Sequence, residues 1–390
     1  MFNIFTTGCV NAHGLKIVSC EASERCLFLF AMKHLTAITD PVYNKPQEFS
    51  ATDKIFLKYI RDERDLPFVY LTIKITLTLI PLGILLYMPF IQGWVWWAVA
   101  IAYAYFNNFA YKGPFGLMLH CTSHRQLFKK EYSFMNQYLP WVVAPFFGHS
   151  PETYYTHHVG MHHAENNLED DESSTMPFHR DSFKDFGVYF GTFLFSGIYH
   201  LAAYFFRKKR TRLLYRSVRG ELLFILFCIG MSMINFMATL WVFIIPFFLY
   251  RLVAMMGNWA QHAFIDPSDP GNDYKNSITC INTKYNVKCW NDGYHISHHE
   301  KQTMHWTEHP IYFQKTLDRY IKNDAIVFDG IHFLHVYFWL MRKRYDLLAK
   351  NFVNIGDKFK NDEEVIAFLK TRTRKIPFNA PQRLQMQVGV

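Results

Sequence analysis

His157-His158-Val159-Gly160-Met161-His162-His163 places four histidines in seven residues. A protein core seldom supplies hydrogen-bond partners for so many imidazoles side by side, and neutral imidazole is the commonest protein metal ligand. The stretch therefore reads as the centre of a metal site. His120-Cys121-Thr122-Ser123-His124 is an i, i+4 pair, a spacing that sets both rings on one helical face. Asn258-Trp259-Ala260-Gln261-His262 repeats that spacing, and His295-Ile296-Ser297-His298-His299 offers two adjacent ligands plus one a helical turn earlier. In the opening stretch His157 leaves the register open, and His158 is chosen because it stands at i, i+4 from His162. His120, His124, His158, His162, His163, His262, His295, His298 and His299 make nine candidate ligands, more than one ion holds, so two ions are implied. An all-imidazole set suits iron, copper, zinc or nickel, and ligand type alone does not choose among them. The absence of paired Cys and of a Glu-x-x-His motif argues against a soluble carboxylate-type di-iron bundle.

Composition puts this cluster in a lipid setting. Half of the 390 residues are hydrophobic and 18% are aromatic, with 38 Phe and 23 Tyr, a membrane-like excess of large apolar side chains. The mean hydropathy of −0.04 averages apolar runs with polar segments and hides the spans. The formal charge of +9 sits beside apolar runs and not in a separate arm. That argues against nucleic acid and fits lipid headgroups or the cytosolic ends of spans. Such a face would also attract an acidic electron-carrier protein. Cys9, Cys20, Cys26, Cys121, Cys228, Cys280 and Cys289 show no metal-type pairing and read as reduced thiols.

Taken in order, residues 1–31 carry no signal-peptide pattern, and the apolar piece at 26–32 is too short to span. Met32, followed by a dense polar segment, is the expected functional start. Between Asp53 and Asp65, Ile55, Phe56, Tyr59 and Ile60 recur at helical spacing among charges, which suits an amphipathic surface helix. Spans are expected over about 69–91, where Lys74 can snorkel and Pro81 and Pro89 bend the helix, and over about 94–119, opened by Trp94, Trp96 and Trp97 at the interface. Residues 138–148 make only half a crossing and read as interfacial or re-entrant, and 331–341 is too short. Two further runs, 186–206 and 222–256, flank the cations Arg207, Lys208, Lys209, Arg210, Arg212, Arg216 and Arg219.

If the second and later histidine groups share one site, the chain crosses an even number of times between them. One full span from each of the last two runs, with the final helix protruding into the cytosol, is the expected arrangement. A hairpin in run 222–256, with run 186–206 lying at the surface, is the alternative that keeps the seven cations inside. The expected fold is an all-α polytopic membrane protein of about four transmembrane helices with a cytosolic histidine-rich helical cap.

Three histidine boxes at the ends of apolar runs resemble the membrane fatty acid desaturase and hydroxylase superfamily. The matching residues are His120-x-x-x-His124, His158-x-x-x-His162-His163 and His295-x-x-His298-His299, and His262 resembles the extra ligand between the second and third boxes of some members. The likeness runs from about residue 69 to 310. It implies two Fe ions in a non-haem centre, O₂ as co-substrate, hydrogen abstraction from an unactivated C–H bond, and electrons from cytochrome b5 or ferredoxin. No His-Pro-Gly-Gly haem motif is present, so the donor is a separate protein. The box-two gap and Asn-Trp-Ala-Gln-His look closer to the acyl-lipid desaturase and alkane hydroxylase branches than to the acyl-CoA branch. The favoured expectation is desaturation of a lipid acyl chain, with hydroxylation of an acyl or alkyl chain as the alternative. A zinc-binding membrane receptor or metal transporter is a third class, but those proteins place their ligands within the spans. The implied setting is the endoplasmic reticulum in a eukaryote or the inner membrane in a bacterium, with the boxes facing the cytosol.

A ligating imidazole generally donates its other N–H to a carboxylate or carbonyl. Asn258, His157, Asp292, Glu165 and Asp170 are candidates for that role, and Asp171 and Glu300 lie equally near the boxes. His149, His305 and His309 are close in sequence, whereas His13, His34, His179, His200, His332 and His335 read as background. The expected division is a leader and surface helix over 1–66, a desaturase-like membrane domain over 67–310 and a cytosolic region over 311–390.

Overall fold

The computed structural model describes residues 37–378. The expectations placed on residues 1–31 and Met32, and on His13, His34, Cys9, Cys20 and Cys26, lie outside the described residues.

The fold is mainly helical. Helix α1, Ala51–Phe56, begins at a capping box in which the Ser50 hydroxyl accepts from Asp53 N at 3.1 Å while Asp53 accepts from Ser50 N. It is shorter than the amphipathic helix expected over 53–65. The chain leaves helical geometry at Ile60, which forms an antiparallel bridge with Phe128, through Arg61 N to Leu127 O and Lys129 N to Tyr59 O, each 2.9 Å. Helix α2, Leu66–Leu85, follows, and Gly93 at φ +57° turns the chain into α3, Gly93–Tyr105. A π-helical turn, Phe106–Tyr111, joins α3 to α4, Lys112–His124, whose last turn carries the first histidine box. Residues 138–148 form two short helical segments, Leu139–Val143 and Ala144–Phe147, buried against the neighbouring helices.

Four helices are long and apolar enough to cross a membrane: Glu63–Leu85, Phe183–Arg207, Thr211–Ile234 and Phe236–Gln261. The number matches the expectation, but the membership differs. The expected span at 94–119 is a helix, yet Trp, Tyr and the pair Asn107-Asn108 dilute its hydropathy. The run at 222–256 is not the single continuous helix expected. Asn235 breaks it: its backbone is extended, and its side-chain oxygen accepts from Ala238 N at 3.0 Å. An Asn in that geometry ends one helix and caps the next. Helix α6, Thr211–Ile234, therefore pairs with Phe236–Gln261 as a hairpin, and α7, Ile245–Gln261, forms its returning end.

Helix α5, Phe183–Arg207, runs alongside the second histidine box and not away from it. The Tyr189 hydroxyl donates to Ser173 O at 3.1 Å, the Phe193 ring lies 5.5 Å from His157, and the Tyr204 hydroxyl donates to Glu165 at 2.6 Å. Tyr189 and Tyr204 are ~22 Å apart along a helix. Both ends of α5 thus touch the same loop, while Phe183, Val188, Phe195, Tyr199 and Phe206 form an exposed apolar face.

The remaining chain covers the ends of α4 and α7. Its two strands, β1 Ile278–Ile281 and β2 Ile326–Asp329, pair in parallel with Ile278 opposite Ile326. Buried Ile326, Phe328, Val336, Leu348 and Leu369 share one core with Phe186, Tyr189, Met255 and Trp259. The segment beyond residue 311 is therefore packed onto α5 and α7. At the other end, Asp40 is buried and accepts from Asn282 N at 2.7 Å and from the Tyr294 hydroxyl at 2.6 Å, tethering the start of the described chain beside the third box.

Candidate metal centre

The nine histidines converge from four elements. Five of them, His120, His124, His158, His163 and His298, form one group, and His162, His262, His295 and His299 form the other, with the ring nitrogens of each group all within 4.8 Å of one another. The groups adjoin, since the rings of His163 and His299 are 4.6 Å apart.

The backbone explains the sorting. Thr153–His157 is an α-helix, but His158–His162 widens into a π-helical turn. Five residues, not four, then return to the same face. His158 and His163 consequently meet, with their Nε2 atoms 3.0 Å apart, while the His162 ring turns to lie 5.2 Å from both His262 and His299. The expected i, i+4 pairing of His158 with His162 is therefore replaced: those two rings serve different groups. In His295–Glu300, designated α8, ordinary α geometry keeps His295 and His299 together, with Nε2 atoms 3.1 Å apart, and sends His298 to the first group.

The arrangement fits bound cations. His298 Nε2 faces His120 Nε2 at 2.9 Å and His163 Nε2 at 2.8 Å, and His163 Nε2 also faces His158. His295 Nε2 likewise faces His262 at 3.2 Å and His299. One ring nitrogen carries either a proton or a lone pair, so neither His298 nor His163 can make two good hydrogen bonds at Nε2. A shared metal ion lets every lone pair be used. Burial, and then the neighbouring imidazoles, holds His158, His163, His295, His298 and His299 well below the usual histidine range. All five are neutral at physiological pH, the form that binds metal.

The outer nitrogens are fixed from behind. His162 Nδ1 donates to Asp171 Oδ2 at 2.7 Å, leaving Nε2 for its group. Asp171 also accepts from Asn167 N, Ser173 N and the Ser173 hydroxyl at 2.9, 2.8 and 2.6 Å. Burial alone would raise its carboxyl, but His162 and these donors hold it down at about 2. His262 Nδ1 donates to the Asn276 carbonyl at 3.0 Å, and His120 Nδ1 faces Asp292 Oδ1 at 3.5 Å.

The other candidates from the sequence are placed elsewhere. Glu165 accepts from Tyr204 and pairs with Lys208, which also holds Asp170 at 2.8 Å, so both acids anchor the end of α5. Asn258 donates to Ser173 O and the Tyr189 hydroxyl. His157 packs on Phe193 and joins neither group. Glu300 takes up Tyr274 and Arg319. His305 meets Asp65 at 3.0 Å, in a third cluster whose remaining member, Asp62, is already neutralised by Arg64 and Arg125. His309 Nδ1 meets the Ser297 hydroxyl at 2.7 Å. Asn276 and Asp40 carry no sequence signal for their roles, because each acts from outside the boxes.

A mainly apolar cavity of about 380 Å³ adjoins the centre, lined by His120, His158, His162 and His295 and extending past Phe193 and Tyr250 to Phe333. Its size suits one flexible amphiphile.

The family model for fatty acid desaturases matches residues 92–329, a stretch that contains all nine histidines. No curated protein and no solved structure matches the chain. The chain belongs to the fatty acid desaturase family, and with it to an oxidoreductase superfamily.

Proposed function

From membership of the fatty acid desaturase family, we propose that this protein desaturates the acyl chain of a lipid, using O₂ at a non-haem di-iron centre. The observation that carries the reading is the division of nine histidines, six buried and three half-buried, into two adjoining groups beside an apolar cavity. His120, His124, His158, His163 and His298 would hold one iron, and His162, His262, His295 and His299 the other. When bound, the irons supply the O₂ activation that removes hydrogen from an unreactive methylene. The balance is one O₂, two hydrogens from the chain, and two electrons with two protons from the reductant, giving a double bond and two waters. The residues of this chain orient and exclude. Asp171 and the Asn276 carbonyl fix the tautomers of His162 and His262, and the apolar cavity wall keeps bulk water from the chain under oxidation.

The packing supports one topology. With both ends of α5 on the loop of the second box, α5 lies along the membrane surface, and four crossings remain: α2, the α3–α4 helix, α6 and the helix ending in α7. Two crossings then separate the second box from His262, as a common site demands. This is the alternative arrangement of the apolar runs, and it puts the cations from Arg207 to Arg219 on the histidine side, expected to be cytosolic. Residues 67–310 act as the membrane domain, with 311–390 as its cytosolic cover, and a separate cytochrome b5 or ferredoxin supplies the electrons.

Expression in a host of simple lipid profile, with lipid mass analysis, metal analysis and oxygen uptake, tests this. Loss of two hydrogens from an acyl chain, with two irons per protein, supports it. Gain of one oxygen would make the protein a hydroxylase of the same superfamily. Zinc without oxygen consumption would remove the reading and favour a receptor or transporter.

A further inference from the structure

The cavity has a cationic pole away from the histidines. Lys112, at the start of α4, is 7% exposed, lines the cavity, and its Nζ has no hydrogen-bond partner among the described residues. The Tyr250 ring lies 5.9 Å from it, measured to the centroid, and the His149 ring, tilted by 47°, lies 3.5 Å from that same ring. His149 is 5% exposed, and its Nε2 also lacks a partner. Arg251 completes the pole, with its terminal nitrogen Nη2 2.9 Å from both oxygens of Glu221 and its other terminal nitrogen, Nη1, without a hydrogen-bond partner among the described residues.

The charges do not cancel. Glu221 answers Arg251 and is also bonded by Ser150, and Asp292 faces His120. Lys112 is left as a buried ammonium without an anion. Such a group is strongly disfavoured unless a counter-charge arrives, and at this degree of burial the side chain does not snorkel to water. Lys112 stands eight residues before His120 on one α-helix, and Arg251 eleven before His262. The pole is therefore ~12–16 Å along the helices from the metal groups.

We propose that this pole binds the anionic head of the substrate, a carboxylate or a phosphate, so that the apolar chain runs from Lys112 past the histidines and is oxidised well away from its head. The Lys112 ammonium pairs with the anion, and the free Arg251 nitrogen and His149 Nε2–H donate to it. This rests on the cavity being the substrate site of the proposed oxidase. It goes further in naming the chemistry of the substrate's polar end.

The test is equilibrium binding to the full-length protein in detergent, read by scintillation proximity with tritiated palmitate and displaced by palmitate, methyl palmitate or palmitoyl lysophosphatidate. The native protein is expected to prefer an anionic ligand over methyl palmitate by at least ~10-fold, the worth of one charge-assisted contact. Lys112→Met is expected to bring the ligands within about 2-fold of each other while leaving methyl palmitate affinity and bound metal unchanged, and Lys112→Arg to keep the preference. Tighter binding of palmitate identifies a free acid, and tighter binding of lysophosphatidate a phosphate-headed lipid. Equal affinity for acid and ester in the native protein, or a preference that survives Lys112→Met, overturns the proposal. Because binding needs no oxidation, a protein that shows the preference but holds no iron would sink the oxidase reading alone. One that oxidises lipid without the preference would sink only the anion pole.

Discussion

His158 and His163 bring their Nε2 atoms to 3.0 Å across a π-helical turn, while His162, between them, faces the opposite group. One short stretch thereby serves both histidine groups, and it does so through backbone winding. An α-helix would carry His158 and His162 on one face and leave the second group one ligand short. The widened turn is therefore part of the site.

Replacing members of the two groups should separate them. His162→Ala is expected to lower bound metal from two ions per chain toward one, and His163→Ala to do the same at the other position, with desaturated product falling at least ~100-fold in each, beyond the cost usual for outer partners. Elemental analysis of purified protein, beside lipid analysis of cells making equal amounts of it, reads both effects. Two ions retained in both variants would break the assignment of these rings.

Asp171 should matter nearly as much without touching metal. It accepts from His162 and three other donors while fully buried. Asp171→Asn keeps the volume but offers one fewer acceptor and no charge, so a 10- to 100-fold loss in metal affinity or activity is expected. Glu165→Gln and Asp170→Asn, which act only on the end of α5, are expected to change metal binding by less than about 2-fold. A chelator competition series on the three variants distinguishes these outcomes.

The histidines were legible because few residue types bind metal, and their number and clustering stand out in any register. Their allotment to the two groups was not, since it turns on one extra residue in a helical turn. Nor could Asp171 be ranked above Glu165 or Asp170 from sequence. Asn166 and Asn167 take left-handed backbones, φ +51° and +58°, and this loop geometry returns Asp171 beneath His162. Asn235 is a readable signal, a capping residue inside an apolar run, and it divides 222–256 into two helices. The proposed surface course of α5 is hidden in the sequence, because its apolar length suits a crossing and the contacts that argue otherwise, those of Tyr189 and Tyr204 among them, are tertiary.

Gly220 marks where that hairpin meets the segment leading into the second box, at Pro151 and Thr153. A Cβ there would sit 1.7 Å from the Pro151 carbonyl oxygen, which is backbone and cannot step aside. Overpacking of this kind costs at least the ~1–3 kcal/mol seen in ordinary cores. Gly220→Ala is expected to abolish a monodisperse peak in size-exclusion chromatography, whereas Gly230→Ala on the same helix, with open space around it, should leave the peak unchanged.

Acid should empty the centre before it unfolds the rest. The folded imidazoles titrate well below the usual range, so the unfolded chain binds more protons beneath ~6.5. Their contribution to stability is intact above that value and is lost as pH falls through it. Bound metal, which competes with the same protons, should decline over the same interval. Thermal unfolding at pH 7.5 and 5.5, with metal retained after desalting at each pH, is expected to show a lower midpoint and lower occupancy at 5.5. A pH-independent midpoint would contradict the neutral, buried state of these rings.

The surface course of α5 can be checked by labelling. Single cysteines at Lys184, Lys209 and Met233, in a background without other cysteines, report which side of the membrane each position occupies. Lys184, in the first turn of α5, and Lys209, just past its end, are exposed, and Met233 stands near the Asn235 turn. If α5 lies flat, an impermeant maleimide added from the histidine side reaches the first two and misses the third. If α5 crosses, Lys184 and Lys209 label from opposite sides. That outcome would require a different crossing to vanish between His163 and His262, because a cage built from both ends of this segment admits only an even number. The only other helices there are α6 and the one ending in α7, and these are joined by a single capping residue. The packing of Tyr189 and Tyr204 against one loop is the reason α5 is proposed as the helix that does not cross.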